Sequence, residues 1–225
     1  MLHSQTFRFL SGLRKNNSKA WFDAHRSDYA AARANVEDFM QAVIDSLGAK
    51  DPSIAGQTAK DCLFRINRDI RFSSDKSPYK TNFGASVNRG GRKSRFAGYY
   101  IHLEPAASFS GGGLWMPMPP ELARVRQEID YTLPDLQKIL NAASFRKYYP
   151  GLYAEKEVSL ARVPKGYAMD NPAAAFLKLK SFFAMSPLDN DTLVSKQAVS
   201  ETVKRLVAAR PLVDYLNVAV DSEPS

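Results

Sequence analysis

Cysteine is almost missing from this chain. Cys62 is the only one in 225 residues, so no intrachain disulfide can form, and a lone thiol fits a reducing compartment. Histidine is nearly as scarce. His3, His25 and His102 are far apart and show no metal-binding spacing, so no transition-metal site is expected, and nothing in the sequence names a cofactor. No apolar run approaches the roughly 18 residues that a membrane span needs. The first residues are broken by Arg8 and followed by Arg14 and Lys15, unlike a secretory leader. These absences predict a cytoplasmic protein with no membrane partner. A P-loop, a dinucleotide-binding glycine fingerprint and a Gly-x-Ser-x-Gly elbow are also lacking.

What the chain does have is ordinary globular composition, 44% apolar and 24% charged, enough to build a core without crosslinks. No repeat, long linker or low-complexity tract divides it, so residues 1–225 are expected to form a single domain. The net charge of +8 is concentrated in one place. Residues 60–100 hold ten Lys or Arg against three acids, which is +7, while everything else contributes +1. Such a local field attracts phosphate, carboxylate or nucleic acid, although a solvated basic face is the ordinary alternative.

Periodicity divides the chain into three stretches. Phe9, Leu10 and Leu13, then Trp21, Phe22, His25 and Tyr29, then Val36, Phe39, Met40, Val43 and Leu47 follow helical spacing, with cap signals at Asn16-Asn17-Ser18 and a stop at Gly48. From Cys62 the period becomes two. Phe64, Ile66, Ile70 and Phe72 predict a first strand; Phe83, Ala85 and Val87 a second; Ala97, Tyr99, Ile101 and Leu103 a third; residues 106–110 a fourth, running into Gly111-Gly112-Gly113. Helical spacing returns at Leu122, Val125 and Ile129 and at Leu136, Ile139 and Leu140. Residues 158–163 and 180–185 are candidate further strands. A C-terminal helix carries Val199, Val203 and Leu206, with a break expected at Pro211 before Tyr215, Leu216 and Ala219. The predicted fold class is α+β, a central antiparallel β-meander covered by N- and C-terminal helices.

Candidate ligand-binding residues cluster on the predicted first strand and its turn. Arg65 and Arg71 would share its polar face, with Lys76, Tyr79 and Lys80 in the turn around Pro78. Point charges beside planar guanidinium forks suit phosphate or carboxylate. On a strand, six residues separate the two arginine backbones by about 20 Å, which favours an extended or two-headed ligand. Arg68 falls on the apolar face. It is either a structural ion pair, a bulge turned to water, or a charge reaching a ligand through a pocket floor. The competing arrangement is neutralisation of these arginines by Asp61, Asp69 and Asp75 in surface pairs. Gly112, in the glycine run before Trp115, either joins a backbone anion nest beside that ring or permits a close backbone approach. His102 and Glu104 lie two apart on one strand face, so the carboxylate can orient the imidazole. They are the best acid–base candidates, although an ordinary surface pair is the commoner fate of such neighbours.

The run FRINRDIRFSSDKSPYKT, the later GGGLW, the Arg162-Val163-Pro164-Lys165-Gly166-Tyr167 segment and the Asn16-Asn17…Trp21-Phe22 pattern resemble the uncharacterised bacterial family known as domain of unknown function 2461. The resemblance covers nearly the whole chain. It implies one domain and assigns no activity, cofactor or catalytic residue.

Three functions fit these residues, in this order. The first is a domain that takes a small phosphate- or carboxylate-bearing ligand on the basic hairpin. The second is a nucleic-acid-binding module using Arg89, Arg92, Lys93 and Arg95 with interleaved Tyr99 and Tyr100. The third is an interaction domain whose basic face meets an acidic protein partner.

Overall fold

A computed structural model describes residues 1–222. In chain order the elements are α1 (Ser4–Lys15), α2 (Lys19–Ala24), α3 (Arg26–Gly48), α4 (Ala59–Cys62), β1 (Phe83–Asn88), β2 (Gly98–Leu103), β3 (Phe109–Leu114), α5 (Pro119–Tyr131), α6 (Leu133–Asn141), α7 (Ala143–Arg146), α8 (Ala174–Leu177), β4 (Phe182–Pro187), α9 (Asn190–Val194) and α10 (Ala198–Asp221). The strands form one antiparallel sheet in the order β1-β2-β3-β4, with helices at both ends of the chain, so the fold is the expected α+β meander. Among the described residues no helix is long and apolar enough to cross a membrane.

Two compact units are distinguishable. The first comprises residues 1–87, 100–110 and 187–204, the second 88–99, 111–186 and 205–222. In the first, Ser18 caps α2, its hydroxyl accepting the Trp21 N–H at 3.3 Å. Helix α3 buries Ala32, Val36, Phe39, Met40, Val43, Ile44 and Leu47 along one stripe, the amphipathic face its spacing predicts. Phe9, Phe22 and Tyr29 cluster beneath these helices, and Tyr29 lies parallel to Phe83 of β1 with ring centroids 6.3 Å apart. Cys62 is buried and forms no disulfide, as a small core residue would.

In the second unit, α5 buries Val125 and Ile129, and α6 buries Leu136 and Leu140. Pro211 does not break the C-terminal helix, which runs on from Ala198 to Asp221. The proline is exposed, whereas Leu206, Ala209, Leu212, Val213 and Leu216 around it are buried. Burial of each large side chain contributes about 1.5–3 kcal/mol, which together outweighs the roughly 3 kcal/mol of an interior proline.

Three strand expectations are corrected. Residues 64–72 form no strand. Strand-like pairing is limited to isolated bridges, Asn67 to Tyr79 within the segment and Leu63 to Ala85 just before it. Side chains there satisfy the backbone locally: Asp69 accepts the Arg71 N–H at 3.3 Å and Asp75 the Ser77 N–H at 2.9 Å, which competes with a ladder. Pro78 has no N–H to donate, and Phe72, the last apolar position of the supposed face, is 96% exposed. The strand expected at 106–110 begins only at Phe109 and continues through the glycine run to Leu114 as β3. Residues 158–163 hold only a bridge from Ser159 to Leu179, whereas the strand expected at 180–185 exists as β4.

Candidate functional site

Strand β2 alternates strictly. Tyr99, Ile101 and Leu103 are buried, while Tyr100, His102 and the following Glu104 are half-buried on the opposite face. The side chains of His102 and Glu104 retain 17% and 21% of their exposure, and Nε2 of the imidazole lies 3.0 Å from Oε2 of the carboxylate. A carboxylate can only accept, so Nε2 carries the proton and Nδ1 presents its lone pair. Around Nδ1 stand the Asn82 amide nitrogen at 3.3 Å and the Tyr100 hydroxyl at 3.4 Å. The imidazole also lies flat against Phe109, with centroids 4.8 Å apart and planes 9° from parallel. Its plane, tautomer and both edges are thereby set.

The carboxylate is held in turn. Thr81 donates its hydroxyl to Glu104 Oε1 at 3.1 Å, and Arg14 from α1 approaches the same oxygen at 3.8 Å. Burial raises the Tyr100 phenol above its ordinary range, and the Glu104 charge adds to this; the group therefore stays protonated at neutral pH and acts as a donor. Gly84 makes room for it: a Cβ there would stand 2.5 Å from the Tyr100 oxygen. Phe64 meets Tyr100 edge-on at 6.3 Å, and the Lys80 ammonium sits 5.3 Å from the centre of the Phe64 ring. The result is a half-buried aromatic face carrying one positioned imidazole, with cations beside it. Such an imidazole can take a proton at Nδ1 while Glu104 stabilises the resulting imidazolium.

The residues expected from the basic hairpin separate. Arg68 is not buried beneath a sheet but forms an ion pair with Asp75, and it donates to the Ser73 hydroxyl at 3.3 Å. Arg71, 75% exposed, is paired with Asp69 at 2.7 Å. Lys76 donates to the Ile70 carbonyl at 3.1 Å. Arg65 is exposed, and with no strand beneath them it and Arg71 share no face. The exposed pairings foreseen as the competing arrangement thus exist for Arg68 and Arg71, while Asp61 bonds Thr58 instead. Tyr79 faces inward, stacked on Phe22 with centroids 4.1 Å apart. Of the hairpin residues, Lys80 is the one carried to the His102 cluster, through Phe64.

Gly112 and Trp115 belong to the second unit. In an extended strand successive N–H groups point to opposite sides, so the run at Gly112 is not a nest. Its glycines permit close approach. A Cβ on Gly112 would stand 2.8 Å from the Ala209 Cβ of α10, and one on Gly111 or Gly113 would collide with the β4 backbone at Ala184 or Phe182. Trp115 is 54% exposed and leans on Tyr153 and Phe183. Also in this unit, Arg89 and Arg95 stack on Phe96 and face Asp221 at 2.6 and 4.0 Å, and Tyr99 is core. Asn171, after the Arg162–Tyr167 segment, donates to Asp130 of α5 at 2.6 Å.

Sequence reasoning placed His102 and Glu104 on one strand face but gave no sign of Arg14, Phe64, Asn82, Gly84 and Phe109 around them. Asn82 and Gly84 face His102 and Tyr100 across the β1–β2 pair, and only the hairpin register, not residue type, marks them.

Among the described residues no group of three or more His, Cys, Asp or Glu side chains is arranged to hold a metal ion. No curated protein and no solved structure matches the chain. Residues 5–215 match the family described as conserved hypothetical protein (DUF2461), and with nearly all of its length inside that match the chain belongs to this family.

Proposed function

We propose that the chain binds a small phosphate- or carboxylate-bearing molecule with a planar ring on the outer face of β2. The observation that carries this reading is the His102 imidazole, held at both nitrogens and stacked on Phe109 while part of the face stays open. A side chain locked by a second layer of hydrogen bonds is what a binding or catalytic constellation requires. The ring of the ligand lies against Phe64 and Tyr100. Its anionic end meets Lys80 and Arg14, which reach the rim of the same face. His102, oriented by Glu104, serves as proton acceptor or donor if the bound molecule reacts.

The test is a thermal-shift screen of nucleotides, sugar phosphates and aromatic carboxylates against four proteins: wild type, His102→Ala, Lys80→Ala and Arg71→Ala. A ligand that stabilises wild type and Arg71→Ala but neither His102→Ala nor Lys80→Ala supports the site. One that stabilises all four equally, or that fails only with Arg71→Ala, overturns it; the second result would return the site to the basic loop.

Nucleic acid is a weaker reading. The half-exposed rings of Phe64, Tyr100 and Phe109 favour it, since bases stack on such platforms. The cations of the 89–95 turn lend it less support, because Arg89 and Arg95 face Asp221. Salt-sensitive anisotropy of a labelled single-stranded oligonucleotide, lost in Tyr100→Ala, would establish it.

A further inference from the structure

A concavity lies in the first unit, and its walls share no residue with the β2 cluster. Its volume is about 580 Å³, and its walls include Arg8 and Phe9 of α1, Trp21 of α2, and His25 and Asp28 at the start of α3. That volume falls in the range of small-molecule sites. Phe9, on its lining, is buried.

Its walls carry charges of both signs. Lys19 and Arg26 both pair with Asp23, and Arg33 pairs with Glu37. Arg8 and Asp28, by contrast, line one cavity with opposite charges, yet neither forms an ion pair or side-chain hydrogen bond among the described residues. His25 adds a directional group. Its Nδ1 lies 2.8 Å from the Trp21 carbonyl oxygen, and its ring lies flat on the Trp21 indole at 3.9 Å. A carbonyl can only accept, so Nδ1 bears the proton and neutral His25 keeps an acceptor at Nε2. His25 and Asp28 stand one helical turn apart, on the same side of α3. One wall therefore accepts from a cation, and the other carries a guanidinium fork suited to a carboxylate.

We infer that this cavity binds an amino-acid zwitterion with an apolar side chain, its carboxylate on Arg8, its ammonium on Asp28 and His25, and its side chain over Phe9. A ligand carrying both charges satisfies both walls at once. A simple anion or simple cation leaves the charge of one wall unmatched. The inference is independent of the β2 site.

Isothermal titration calorimetry with leucine, N-acetyl-leucine and leucinamide tests it. Leucine should bind wild type, and removal of either charge, by acetylation or amidation, should weaken binding about ten-fold or more, as loss of a charge-assisted contact does. In Arg8→Ala, leucine and leucinamide should bind alike; in Asp28→Ala, leucine and N-acetyl-leucine should bind alike. Both residues are exposed, so the variants are expected to fold, and circular dichroism checks this. If leucine and phenylalanine show no binding at about 10 mM, or if both variants keep the wild-type preference, the inference is overturned.

Discussion

The Asn17 side chain completes both backbone hydrogen bonds of Tyr79: its amide nitrogen donates to the Tyr79 carbonyl at 2.9 Å, and its oxygen accepts the Tyr79 N–H at 3.1 Å. A side-chain amide here replaces a missing strand partner. It also fixes Tyr79 so that its ring stacks on Phe22. The Asn-Asn…Trp-Phe and Ser-Pro-Tyr-Lys patterns, distant in sequence, are thus two halves of one joint.

Asn17→Ala should lower stability by about 1–3 kcal/mol, since two part-buried backbone groups lose their partner. Urea denaturation should show a lower midpoint with an unchanged slope. An unchanged midpoint would mean that water replaces the amide without loss.

Arg71→Ala should leave stability at pH 7 nearly unchanged, because exposed ion pairs contribute little. The Arg71 guanidinium holds the Asp69 carboxyl below its ordinary range. A depressed folded-state value favours the native protein above the unfolded carboxyl's own pKa, and that contribution disappears as pH falls through the folded one. The variant and wild type should therefore converge as the solution is acidified below about pH 4. A gap that widens with acid would contradict the pairing.

Tyr100 should titrate late. Its raised phenol value means that the folded protein holds the proton more tightly than the unfolded chain. Its stabilisation is thus complete below the unfolded value near 10 and is lost as pH rises through the folded value. The difference at 295 nm between wild type and Tyr100→Phe during an alkaline titration should have its midpoint above 10. A midpoint at or below 10 would place the phenol in water.

Gly112→Ala should destabilise by about 1–3 kcal/mol through overpacking against α10, since the new Cβ would stand 2.8 Å from that of Ala209 and 3.2 Å from Val213. Combining it with Ala209→Gly should restore part of the loss despite the helix penalty of glycine, a non-additivity expected of touching residues. Strict additivity in thermal unfolding would show that the glycine serves some other purpose.

Local pattern determined much of this protein. The 3.6-residue spacing marked α1, α3, α5 and α6, and the two-residue alternation marked β1 and β2, because each records which side of one element meets apolar neighbours. Alternation also put His102 and Glu104 on one face, where they bond. The same rule misled at Phe64–Phe72, whose alternation lacks the paired ladder and the covering layer that turn a pattern into a strand. Tertiary structure alone decided the rest. Pro211 continues a helix because buried leucines flank it; the glycines of β3 are required because α10 and β4 come so near. The basic loop neutralises its own arginines, while Arg14, Asn82 and Phe109 converge on His102. Those outcomes depend on which distant atoms come within hydrogen-bonding or van der Waals reach, a property of packed chains that no window of neighbouring residues encodes.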